Sequence, residues 1–142
     1  KCFKIECAQA ASKLRKLVAE GGEAIEGPFD GEEGITLFAD LEAGATGNMS
    51  SAMIPDLIRP VVLDYLAGEI DKSEDKYNNI LPIINYENRQ CGFRATKVIM
   101  KEGGVINSDF CRHPIPPLEE QTKAGLIKLV KKYDPIALRW GK

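Results

Sequence analysis

The sequence predicts an α/β chain: a small parallel sheet built from βα units, followed by a run of helices. Three observations carry this. Short strand candidates begin at residues 2, 24 and 45, and the first two are each followed by apolar residues at helical spacing. Glycines close both helical stretches, at Gly21-Gly22 and at Gly44. From Ile54 onward the pattern changes to helix after helix. Strands alternating with helices at this interval assemble through right-handed crossovers into parallel sheets.

The first strand is expected over Cys2 to Glu6 (CFKIE), and the helix after it shows Ala10, Ala11, Leu14, Leu17 and Val18 on one side. A second short strand is expected over Ala24 to Glu26, running into the turn-rich GPFDG. A helix around Ile35, Phe38 and Leu41 follows. The third strand, Ala45 to Met49, has weak β-propensity and rests on the spacing of its neighbours. Beyond it, Leu57, Ile58, Val61, Val62, Tyr65 and Leu66 form one apolar stripe, with Pro60 expected in the first turn or at a kink. Tyr77, Ile80, Leu81 and Ile84 form a second, kinked at Pro82. A third helix is expected from Phe93 to Glu102. The last should open at Pro117, with Glu119 and Glu120 at the positive end of its dipole and Lys131 and Lys132 at the negative end.

Three parallel strands do not make a complete sheet, because such strands are buried on both faces and their edges need covering. The chain also opens KCFKIEC, without Met and inside a strand. It therefore reads as the later part of a larger domain.

Composition narrows the function classes. With 142 residues, 19 Lys+Arg against 21 Asp+Glu and 44% hydrophobic residues, the chain is close to an average globular one. A net charge of −2 lacks the basic surplus that displaces counterions from nucleic acid, so no nucleic-acid partner is expected. Cys2, Cys7, Cys91 and Cys111 form no CxxC pair and have only His113 for company, so neither a metal site nor a redox dithiol is expected. A reduced, cytoplasmic chain without cofactor is the simplest reading. No apolar run approaches the ~20 residues of a membrane span.

In parallel α/β architectures the reactive groups gather where strands end and in the loops that follow. That selects Lys4 to Glu6, Gly27 to Gly31 and Gly47 to Ser51. Alternation along the first strand sends Phe3 and Ile5 to one face and Lys4 to the other, away from the covering helices. A lysine desolvated there is neutral and nucleophilic, as imine formation with a carbonyl substrate requires. The plain alternative is an exposed Lys4 paired with Glu6. GPFDG offers backbone and one carboxylate, Asp30, to a hydroxyl-bearing ligand, or is only a turn. Gly44 to Gly47 with Asn48, Ser50 and Ser51 could cradle an anion, but it lacks P-loop spacing, and the serines could simply cap the next helix. His113 has no nucleophile beside it and reads as a loop or packing residue.

Together these places resemble a known superfamily. FKIE, then AIEGPFDGEE, then LEAGATGNMSS, is similar to the sixth to eighth βα units of the dihydrodipicolinate synthase and N-acetylneuraminate lyase superfamily. LPIINYENRQ, KEGGVINSD, RHPIPPL and DPIALRWGK resemble the C-terminal region of one branch, the L-2-keto-3-deoxyarabonate dehydratases. The resemblance implies a partial (β/α)8 barrel over residues 1–68 and a helical extension over 69–142. It implies Lys4 as the Schiff-base lysine, and Gly27, Asp30, Met49, Ser50 and Ser51 as contacts to a small-molecule 2-keto acid. Asp30 is offset from the lyase pattern by PF. An eightfold barrel needs roughly 250 residues. The superfamily's carboxylate-binding hydroxyls and proton-shuttling tyrosine would lie upstream of Lys1. The implied activity is a Schiff-base lyase that dehydrates L-2-keto-3-deoxyarabonate to 2,5-dioxopentanoate. The alternatives are an aldolase or a dihydrodipicolinate synthase-like enzyme, or a truncated barrel that is silent by itself. Neither a metal nor a membrane partner is implied, and a homo-oligomer is expected because the later helices present broad apolar stripes.

Overall fold

The computed structural model describes all 142 residues and divides into two compact units. One comprises Lys1–Ser50 with Ile58–Ile80, the other Ser51–Leu57 with Leu81–Lys142.

In the first unit, β1 (Phe3–Ile5), β2 (Pro28–Asp30) and β3 (Gly47–Asn48) form a parallel sheet in that order. Helix α1 (Ala10–Gly21) connects β1 to β2, and α2 (Leu37–Glu42) connects β2 to β3. The expected βα rhythm is present, but the second strand starts at Pro28 rather than Ala24. Gly22–Ala24 is instead a 3-10 turn. The ladder explains the shift: the Pro28 carbonyl accepts from Thr46 N–H at 2.9 Å, and the Asp30 carbonyl from Met49 N–H at 2.9 Å. Pro28 lacks an N–H and is tolerated as the first residue of a strand. Across the sheet, Lys4 lies opposite Phe29 and Phe29 opposite Gly47, while Ile5, Asp30 and Asn48 form the neighbouring row.

Helices α3 (Pro55–Leu66) and α4 (Ile70–Tyr86) follow, with Pro60 well inside α3 rather than in its first turn, and Pro82 inside α4. Their parts within this unit are tied by Ser73, whose hydroxyl donates to the Val61 carbonyl at 2.8 Å. Phe38 meets Tyr65 edge-on at 5.6 Å and stacks on Tyr77 at 6.1 Å. Leu14, Leu37, Leu41, Ile58, Val61 and Ile80 are buried here. Each such side chain contributes about 1.5–3 kcal/mol by leaving water.

The second unit buries Met53, Ile54, Ile83, Ile84, Ile99, Leu126 and Val130. A π-helical turn, Glu87–Cys91, leads to α5 (Arg94–Glu102), and α6 (Glu120–Lys131) precedes a 3-10 turn at Ile136–Leu138. Helix α6 begins three residues after Pro117, the expected first position. If Pro117 opened the helix, the Pro116 carbonyl would accept its first bond. That carbonyl instead accepts from the Arg94 guanidinium at 3.0 Å, and the helix is opened by Lys123 N–H bonding the Glu119 carbonyl. No helix is long and apolar enough to cross a membrane.

Candidate active site

Lys4 occupies the middle of β1, and the pleat puts it on the same face as Phe29. Its ammonium forms an ion pair with Glu6. The Lys4 hydrogen bond, with help from the Lys4 charge and the Glu32 N–H, holds the Glu6 carboxyl below its ordinary range. Gly31, the first residue after β2, makes room for this pair: a Cβ there would fall 2.7 Å from Lys4 Cε and 2.9 Å from Glu6 Cβ. The side chains of Lys4 and Glu6 are 38% and 46% exposed. The desolvated amine expected from alternation is therefore not present among these residues. Three strands do not curl into a closed interior, so the face assignment holds while the amine keeps its contact with water. The ion pair with Glu6, the plain alternative, is what forms.

Asp30 points the other way. It shares its face with Ile5 and Asn48, is 1% exposed, and accepts a hydrogen bond from the Asn48 amide. Burial, reinforced by the adjacent Asp40 carboxyl, pushes its pKa up to about 8. Asp40, also buried, accepts from the Thr36 hydroxyl at 2.8 Å. Tyr77 donates to the carbonyls of Gly34 and Ile35, and burial with the charges of Asp30 and Asp40 pushes its pKa up to about 12. Asp30 is thus a core group beneath α2 and is not brought to Lys4. Asn48 is committed to Asp30, which removes it from the anion-cradling loop.

The shift of β2 also relocates Gly27. It precedes the strand, at φ +72°, and so stands at the strand's entry instead of in the loop that follows. That loop is Gly31 to Gly34, and in it Glu32 and Glu33 adopt φ of +51° and +58°. Backbone held in this region costs of order 1–3 kcal/mol per residue and concentrates at functional sites. Sequence reasoning missed the two glutamates because it placed the strand early. Pro28, read as a strand opener rather than a turn residue, was the signal that would have found them. Met49, half exposed, and Ser50 follow β3 at the same end of the sheet. Ser51 belongs to the other unit, where its hydroxyl accepts from Met53 N–H at 3.3 Å, just ahead of α3.

The second unit holds a cavity of about 330 Å³ lined by Arg94, Val98, Phe110, Leu118 and Lys123, among others. Its basic groups are already engaged. Lys123 pairs with Asp109 at 2.6 Å, and Arg94 donates to the carbonyls of Cys91 and Pro116. Lys101 and Lys123 together hold the Asp109 carboxyl well below its ordinary range.

Consecutive βα units joined into a small parallel sheet, with a lysine in mid-strand and an acidic loop beyond the next strand, define an α/β chain of the parallel-sheet class. The chain belongs to the dihydrodipicolinate synthetase family, whose family model matches residues 6–133. It is 51% identical over 138 residues to the L-2-keto-3-deoxyarabonate dehydratase of Azospirillum brasilense, covering 97% of this chain and 45% of that protein. Among solved structures it is similar to the dihydrodipicolinate synthase of Rhodopseudomonas palustris, with a TM-score of 0.81 and 25% identity, over 92% of this chain and 45% of that one. The Aquifex aeolicus dihydrodipicolinate synthase gives a TM-score of 0.81 at 17% identity, over 94% and 45%, and speaks for the fold alone. The chain spans less than half the length of these relatives.

Proposed function

We infer that these residues belong to a Schiff-base lyase of the family that dehydrates a 2-keto-3-deoxy sugar acid, L-2-keto-3-deoxyarabonate being the preferred substrate. In this reading they supply three βα units of a (β/α)8 barrel over residues 1–68 and its helical extension over 69–142. The observation that carries it is the 51% identity over 138 residues, 97% of this chain, to a dehydratase of that substrate. The mid-strand Lys4, on the sheet face opposite the buried Asp30, is the amine this reading uses.

The chemistry follows from the electron demand of an imine. The Lys4 amine attacks the C2 ketone, water leaves, and the protonated imine acidifies the C3 hydrogens. The enamine that forms expels the C4 hydroxyl as water and leaves a C3–C4 double bond beside the C5 carbinol. A proton then moves from C5 to C3 to give the C4–C5 enol, which gains a proton at C4 as its hydroxyl loses one and becomes the C5 aldehyde. Hydrolysis of the imine frees the 2,5-dioxo acid. The loop after β2, with Glu32 and Glu33, and Met49 with Ser50 after β3 take the rim positions in this scheme. Gly27 and Asp30 do not.

Borohydride reduction in the presence of the 2-keto-3-deoxy acid should add the mass of the substrate skeleton to Lys4, and Lys4→Arg should abolish both adduct and turnover. A folded protein that gives no adduct at Lys4 overturns the reading. Appearance of pyruvate and an aldehyde, in place of a 2,5-dioxo acid, would assign the imine to C3–C4 cleavage instead of dehydration.

A further inference from the structure

The group that touches the reacting nitrogen is Glu6. Its carboxylate is ion-paired with Lys4 Nζ and receives the Glu32 N–H, and Gly31 leaves the space in which the pair lies. A carboxylate in contact with Nζ is also adjacent to the carbons that become attached there: in the imine, C3 is two bonds from the lysine nitrogen and C4 three. Glu6 lies one residue past the end of β1, and the ion pair together with the shared approach of Lys4 Cε and Glu6 Cβ to Gly31 puts both side chains on the same side of the sheet. Asp30 and Asp40, the buried acids of this unit, are on the opposite side of the sheet.

Building on the Schiff-base reading, we propose that Glu6 serves the elimination as a proton relay of its own, in addition to the tyrosine that the resemblance places upstream of Lys1, removing the C3 proton of the imine and returning it to the departing C4 hydroxyl. The steps balance. Lys4 as ammonium passes one proton to the Glu6 carboxylate and becomes the amine. The amine adds to C2, and the C2 hydroxyl of the resulting carbinolamine leaves as water with the proton from Glu6, giving a protonated imine and a carboxylate again. Glu6 then takes the C3 proton, and the C–H electron pair forms the C2–C3 double bond of the enamine. When that pair moves to form the C3–C4 double bond, the C4–O bond breaks. The proton on Glu6 goes to the leaving oxygen, so one water departs and the carboxylate is restored. No oxidant, metal or further reactant is consumed.

Pyruvate separates the relay from imine formation, because it has a C3 methyl and no leaving group. In the purified wild-type protein, pyruvate should be trapped on Lys4 by borohydride and should exchange its methyl protons for deuterium in D2O. With Glu6→Gln, the equilibrated adduct at Lys4 should remain and the exchange should fall by about 10²-fold or more, in the range of general acid–base catalysis. Glu6→Asp, which keeps the carboxylate, should recover part of the exchange. Exchange within about threefold of wild type in Glu6→Gln overturns the relay. Loss of the adduct in both variants assigns Glu6 to holding Lys4 alone and overturns it too. Absence of an adduct in the wild-type protein marks a different failure, that of the Schiff-base reading, and the relay falls with it.

Discussion

At Asp30 a single register decides between a binding group and a core group. Opposite Ile5 and beside Asn48, its carboxyl is shut away from water next to a second carboxyl, and its proton is retained to about pH 8. The folded state therefore binds more protons than the unfolded state between about pH 4 and 8. Stability must fall as pH rises through that window, with a limiting slope of about 1.4 kcal/mol per pH unit for one proton. Asp30→Asn reproduces the protonated shape, accepting from Asn48 and facing Asp40 with an N–H. Urea midpoints between pH 5 and 9 should decline in the wild-type protein and run flatter in this variant, which should be the more stable protein at pH 8. Equal slopes would show that Asp30 is ionised in the folded state. The residue type and the turn-like GPFDG were legible in the sequence, but the face was not. Asp30 was expected in the turn beyond a strand ending at Glu26, where no alternation assigns a face, and only the ladder to β1 and β3 places it in the strand beside Ile5 and Asn48.

Among the elements, long helices were the most legible and short strands the least. Leu14, Ile58, Val61 and Ile80 lie on the apolar stripes expected from the sequence and are buried. The β2 strand has three residues, too few for a period to announce itself, and opens on a proline that also suits a turn. What joins the helices was not legible at all. Ser73 sits in a stretch of charged residues, IDKSEDK, that reads as solvated, yet it is fully buried with its hydroxyl on the Val61 carbonyl. Ser73→Ala removes that donor while Val61 keeps its place in α3, so the loss should be about 1 kcal/mol, the net worth of a neutral hydrogen bond. Chemical denaturation checks this through a lower midpoint at unchanged slope. A midpoint equal to wild type would mean that the hydroxyl does no more than fill space.

For the molecule as a whole, the open question is what lies beside the sheet. Strand order β1-β2-β3 gives β2 a partner on each side and leaves β1 and β3 with one unpaired edge each. Parallel strands are rarely stable with open edges, and closure into a barrel removes edges altogether. The barrel reading therefore requires strands from outside these 142 residues on both flanks. It also accounts for Lys4: a closed sheet would withdraw from water the face on which the amine is now 38% exposed. Amide exchange tests this without reference to activity. In the purified protein, the amides of Phe3–Ile5 and Gly47–Asn48 that point away from β2 should exchange as slowly as those of β2 itself, because each is bonded to a further strand. The β2 amides serve as the internal standard, since they are paired whether or not the sheet continues. Fast exchange confined to the outer edges would mean that the sheet ends at three strands, and the (β/α)8 architecture would have to be given up even if Lys4 still formed an imine.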